Sequence, residues 1–100
     1  MNNFELKKSN RKGKRYLITM SKFQHNHHFA SELGKTFVDS RTVNEKENWI
    51  NRHKNDKNWN NPHSGIYYSR HLLWGKHKNL EKNIKELEKK DGIKIKKSFK

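Results

Sequence analysis

An α+β domain is the fold class this chain predicts: a small N-terminal β-hairpin or three-stranded sheet packed on about three helices, with a basic arm at each end. Three observations predict it. Strand-forming residues are concentrated in the first third of the chain. Apolar residues at helical spacing, punctuated by capping residues, fill the rest. Lysines and arginines collect at the two ends, with six basic and one acidic side chain in residues 1–15 and ten and four in residues 76–100, against eight and five between them.

Residues 1–14 read as a polar basic arm carrying Lys7, Lys8, Arg11, Lys12 and Lys14, broken at Gly13. Residues 15–20, Arg-Tyr-Leu-Ile-Thr-Met, read as a strand with Tyr16, Ile18 and Met20 on one face. Residues 21–26 turn the chain and residues 27–30 return it, giving a hairpin. Residues 35–38 suit a third short strand or an extended loop. Thr42 followed three residues later by Glu45 is a capping box, so a helix is expected from 43 to 54 with Trp49, Ile50 and His53 on its inner stripe. Pro62 prevents a helix before it, and Ser64 is a candidate N-cap. Residues 66–74, Ile-Tyr-Tyr-Ser-Arg-His-Leu-Leu-Trp, are apolar on most sides of a helical wheel, which marks them as the hub of the core. Gly75 is expected to end this helix as a left-handed cap. Asn79 is expected to cap the next, with Leu80, Ile84 and Leu87 inward and Gly92 as its stop. Residues 93–95 alternate and suit an edge strand, and residues 96–100 read as a basic tail. Residues 15–95 thus form the single domain.

The totals restrict the function. The net charge is +14 over 100 residues, so an anionic partner is expected. Leu, Ile, Val and Phe number 20, close to the composition at which charged chains stay unfolded, so the core is small and stability without a partner is in question. There is no cysteine, which excludes a disulfide framework and a thiolate metal site. No apolar run approaches the ~18 residues of a membrane span, and the beginning lacks the apolar segment of a signal peptide. Lysine (19) and asparagine (13) dominate over arginine (5); both have A/T-rich codons, so base composition is a second source of the charge.

The candidate chemistry is thin. His25, His27 and His28 are the candidate metal ligands, but no Cys or H-E-x-x-H accompanies them and a polar hairpin tip explains them equally simply. His53 and His71 sit among apolar residues, where a hydrogen-bonded boundary histidine is commoner than a base. Arg52 and Arg70 stand among aromatics and suit bidentate capture of phosphate or an internal pair stacked on Trp49 or Trp74; the internal reading is preferred. Trp49, Trp59, Tyr67, Tyr68 and Trp74 could stack bases, though their spacing favours a core. The strongest functional signal is the pair of terminal clusters, Lys7, Lys8, Arg11, Lys12, Lys14 and Arg15, and Lys89, Lys90, Lys94, Lys96, Lys97 and Lys100. Binding through them would be sequence-tolerant and salt-sensitive. No helix-turn-helix, zinc finger or RNA-recognition signature accompanies them. Neither a catalytic residue nor a cofactor is predicted.

Three blocks carry a resemblance: residues 45–54 (Glu-Lys-Glu-Asn-Trp-Ile-Asn-Arg-His-Lys), 59–62 (Trp-Asn-Asn-Pro) and 68–76 (Tyr-Ser-Arg-His-Leu-Leu-Trp-Gly-Lys). With them, residues 15–95 resemble an uncharacterised family of small proteins of large nucleocytoplasmic DNA viruses of protists and algae. Ala30, His71 and Gly75 depart from its usual pattern. The resemblance implies a viral gene and no defined activity. Together with the basic ends, it leads to the expectation of a non-enzymatic assembly protein. It would be a minor, capsid-associated virion component, present in host cytoplasm during assembly, whose basic arms hold other virion proteins or nucleic acid, DNA above all. A free, sequence-tolerant DNA- or RNA-binding protein is the alternative, and a metal-dependent enzyme built on the histidines is the third.

Overall fold

Residues 2–8 spell Asn-Asn-Phe-Glu-Leu-Lys-Lys, and the alternation of Phe4 and Leu6 with polar neighbours decides the architecture. In the computed structural model, which describes residues 2–20, 25–31 and 34–99 (Asn2 and His25 by backbone only), this stretch is strand β1, Asn2–Lys8. Expected as a solvated arm, it is instead one of two inner strands of a four-stranded sheet ordered β3-β2-β1-β4. The reason is burial: Phe4 and Leu6 are 8% and 1% exposed, and each such side chain removed from water contributes about 2 kcal/mol.

Strand β2, Lys14–Met20, pairs antiparallel with β1. The turn between them closes with the Lys14 amide donating to the Arg11 carbonyl, and Gly13 takes a positive φ of 84° there. Strand β3, His25–Ser31, completes the expected hairpin with β2. Strand β4, Ile93–Lys97, forms the far edge and runs parallel to β1. Tyr16, Ile18, Met20, Phe29, Ile93 and Ile95 share the inner face with Phe4 and Leu6. Residues 35–38 form no strand; they lie in a loop whose Thr36 and Phe37 are buried.

Helix α1, Val43–His53, begins at the expected capping box, with Thr42 Oγ1 accepting the Glu45 amide and the Glu45 carboxylate accepting the Thr42 amide. None of its residues is fully buried. The hub is a short helix α2, Gly65–Tyr68, that widens into a π turn, Ser69–Leu73, where the Trp74 amide reaches the Ser69 carbonyl. Tyr67, Tyr68, Leu72, Leu73 and Trp74 are all buried, so the segment is central as expected. Ser64 occupies the N-cap position, but its hydroxyl donates to the Asn58 and Asn61 carbonyls rather than capping. Gly75 is not a left-handed cap. A Cβ there would stand 2.3 Å from the His71 carbonyl oxygen and 3.0 Å from the Asn83 side chain, so the glycine permits a close approach.

Helix α3, Leu80–Asp91, is capped by Asn79, whose side chain accepts the Lys82 amide, and ends at Gly92 with φ 64°. Its Asn83 is 1% exposed and ties the hub to the following loop: Nδ2 donates to the Leu72 and His77 carbonyls and Oδ1 accepts the His77 amide. Among the described residues, no helix is long and apolar enough to cross a membrane.

Candidate polyanion interface

The parallel pairing of β1 with β4 unites the two ends of the chain. Asn3 stands opposite Lys94, Glu5 opposite Lys96 and Leu6 opposite Lys97. Because Phe4 and Leu6 point inward, Asn3, Glu5 and Lys7 point outward, and across the register Lys94 and Lys96 join them. Because the strands are parallel, Lys8 and Lys97 finish at the same end of the sheet, and the turn with Arg11, Lys12 and Lys14 caps that end. Basic residues within 7–14 and Lys94 and Lys96, 80 residues or more apart in sequence, become one basic surface: the outer face of β1 and β4 with the hairpin turn beyond it.

Its electrostatics are largely unneutralised. Arg11, Lys12, Lys14, Lys94 and Lys96 make no ion pair among the described residues. Glu5, the acidic residue on β1, accepts from Ser98 Oγ and lies 3.5 Å from Lys7. Its carboxyl is held below the ordinary carboxylate range, first by the Ser98 hydroxyl, which outweighs an opposing desolvation effect, and then by Lys7 and Lys96. Lys8 lies over the rings of Tyr16 and Phe99, 5.1 and 4.7 Å from their centroids. The imidazole of His28 hydrogen-bonds Ser9 Oγ at 2.7 Å. Its pKa is lowered by burial and by Arg11 and Lys14, which places the positive field of the turn over this side of the sheet.

Other predicted residues are engaged elsewhere. Arg15 makes a two-pronged pair with Asp39, at 2.6 and 2.5 Å, and Asp39 also accepts the Thr36 amide and hydroxyl. That carboxyl is pulled down to about 2, mainly by the Arg15 hydrogen bond. Arg70 lies 4.4 Å from the Trp59 ring centroid and donates to the Trp59 carbonyl and Asn60 Oδ1, the internal role preferred from sequence. Lys97 pairs with Glu81 at 3.0 Å. Lys89 and Lys90 belong to the C-terminal turn of α3, directly before β4 begins, and so lie at the opposite end of the sheet from the hairpin turn. Lys90 is held by Tyr67 Oη and Asp91. The C-terminal cluster is therefore divided by the fold.

Among the described residues, no group of three or more His, Asp or Glu gathers as metal ligands. His27 and His28 point to opposite faces of β3, with His27 6.5 Å from the Tyr68 ring centroid on the inner face; the side chain of His25 lies outside the described residues. His53 Nδ1 bonds the Trp49 carbonyl of its own helix at 2.8 Å. His71 Nε2 is buried without a hydrogen-bond partner among the described residues, while the nearby Asp91 carboxylate is engaged by Tyr67 and Lys90. Among the described residues, no carboxylate hydrogen-bonds either ring.

Two cations that the sequence reading passed over, Lys35 and Arg41, line a cleft of about 500 Å³ together with Arg52. Arginine scarcity was the available signal for Arg41, one of five in the chain. Set against protein-family models, curated proteins and solved structures, the chain matches none.

Proposed function

We propose that this is a non-enzymatic, strongly basic binding protein of a large DNA virus, carried in the particle as a minor capsid-associated component. In this reading its sheet surface holds acidic partners, packaged DNA first among them. The observation that carries the binding half is the β1–β4 register, which sets Lys7, Lys94 and Lys96 on one face beside Arg11, Lys12 and Lys14. Cations spread over a rigid sheet meet a polyphosphate without ordering a flexible tail, so less conformational entropy opposes binding. The surface offers amines rather than a base-reading helix, so the contact is to phosphates and tolerant of sequence. The viral setting is supported by the resemblance of residues 45–54, 59–62 and 68–76, and implies a passage through host cytoplasm during assembly.

Binding of the whole protein to random-sequence duplex DNA, titrated from ~50 mM salt upward, tests the first half. Engagement of about six phosphates gives a slope of log K against log salt near −5. No binding at ~50 mM salt ends the reading, because electrostatic affinity is greatest there. Mass spectrometry of purified particles tests the second half: presence in the particle supports it, and binding to DNA or RNA with absence from the particle replaces it with a free nucleic-acid-binding protein.

A further inference from the structure

Helix α1 is attached in an unusual way. It contributes no fully buried residue, and it meets the hub through a stack of rings: Trp49 lies parallel to Trp74 at 5.1 Å and 7°, 5.7 Å from Trp59 and 4.5 Å from His53. Between α1 and the loop of residues 34–41 this leaves the 500 Å³ cleft, a volume within the range of small-ligand sites. Glu45, Asn48, Trp49 and Arg52 recur at three- and four-residue spacing and so share the face of α1 that lines it.

The cleft is positive and aromatic together. The acid among its described lining residues, Glu45, is engaged locally, accepting from Arg41 at 2.7 Å and from the Thr42 amide. That leaves Lys35 and Arg52, neither of whose side chains makes a hydrogen bond or ion pair among the described residues. The two indoles of Trp49 and Trp74 both contribute to the lining. Ala30, at the rim, holds a φ of 67°, the one positive φ outside glycine among the described residues. Such strain costs about 1 kcal/mol and is concentrated at ligand sites.

A guanidinium with free donors suits a phosphate, and an indole wall suits a flat heteroaromatic ring. We infer that the cleft between α1 and the 34–41 loop binds a nucleoside phosphate, with Arg52 and Lys35 on the phosphate and the half-buried Trp49 indole, stacked on the buried Trp74, against the base. The ligand is a free nucleotide or the phosphorylated end of a DNA strand; both present the same chemistry. The cleft is separate from the sheet surface and does not depend on it.

Tryptophan fluorescence of the full chain, titrated with dAMP, with 5′-phosphorylated oligo-dT, with deoxyadenosine and with inorganic phosphate, tests this. Saturable quenching by dAMP or the oligonucleotide is expected, with the tighter of the two naming the source. Arg52→Ala, at an exposed position, is expected to weaken dAMP quenching at least tenfold, Arg52→Lys to restore part of it, and Lys89→Ala, which lies on neither the cleft nor the sheet surface, to leave it unchanged within twofold. Saturation by neither, or inorganic phosphate binding as tightly as dAMP, overturns the inference. Equal loss of dAMP quenching in Arg52→Ala and Lys89→Ala also overturns it, by assigning the signal to total charge. Circular dichroism of each variant establishes that a loss is not unfolding.

Discussion

His71 shows what burial does to a single titratable group. Its pKa is lowered to about 4, first by burial and then by Arg70 and Lys90, with Asp91 opposing. The unfolded chain therefore takes up this proton more readily than the folded one, and stability from neutral His71 is present above pH 6.5 and lost as pH falls toward 4. After discounting for partial exposure, the loss is about 1 kcal/mol. His27 and His28 shift the same way, so His71→Leu reduces the slope of the urea midpoint between pH 6.5 and 4 without removing it. Asp39 titrates lower and by a different cause. Its carboxyl is depressed by Arg15, so its contribution is present above pH 3.8 and lost as pH falls through about 2. Asp39→Asn costs about 1 kcal/mol at pH 7, the value of a partly exposed pair, and only a small part of that at pH 2, by urea denaturation at each pH. Sequence showed neither setting: the partner of Asp39 is 24 residues away.

Among the elements, β1 is the one sequence reading lost, and its loss has a clear cause. Five basic residues in residues 1–14 outweighed two apolar ones, Phe4 and Leu6, whose alternation was visible but brief. If the segment were a solvated arm, Leu6→Ala would be neutral. As an inner-strand residue 1% exposed, it costs about 3 kcal/mol, readable as a thermal midpoint. The elements read correctly had local signals strong enough to stand alone: the Thr42–Glu45 box, the Asn79 cap, the Gly92 stop and the period-two run 15–20. Strand β4 is an edge, and the fold blunts it, since the Ile95 amide donates to the Glu88 carboxylate at 2.8 Å. Lys94 and Lys96 flank it, as charged residues do on open edges. Glu88→Ala frees that amide for another chain, so sedimentation at high protein concentration is expected to show association that the parent chain lacks.

At the scale of the whole molecule, the division of the C-terminal lysines gives a direct comparison. Lys96 lies on the surface shared with β1, whereas Lys89 lies at the far end of the sheet. In the DNA titration, Lys96→Ala lowers the salt slope by about 1 and Lys89→Ala leaves it unchanged, because only a contacted phosphate releases its counterions. Equal effects of the two would mean that binding follows total charge and not this face.

The sequence by itself determined the α+β class, the aromatic hub, the helix caps and the positive charge, because each is written in residues near one another or in a sum over all of them. It also located most of the candidate cations, though not their grouping. Only the tertiary structure decided that residues 2–8 are an inner strand, that the two ends of the chain share one face, and that Lys35, Arg41 and Arg52 open onto one cleft. Those outcomes depend on pairing β1 with β4 across more than 80 residues and on closing a loop against α1. Neither leaves a local signature, since the pairing is selected by burying Phe4, Leu6, Ile93 and Ile95 together and the loop is held by burying Phe37.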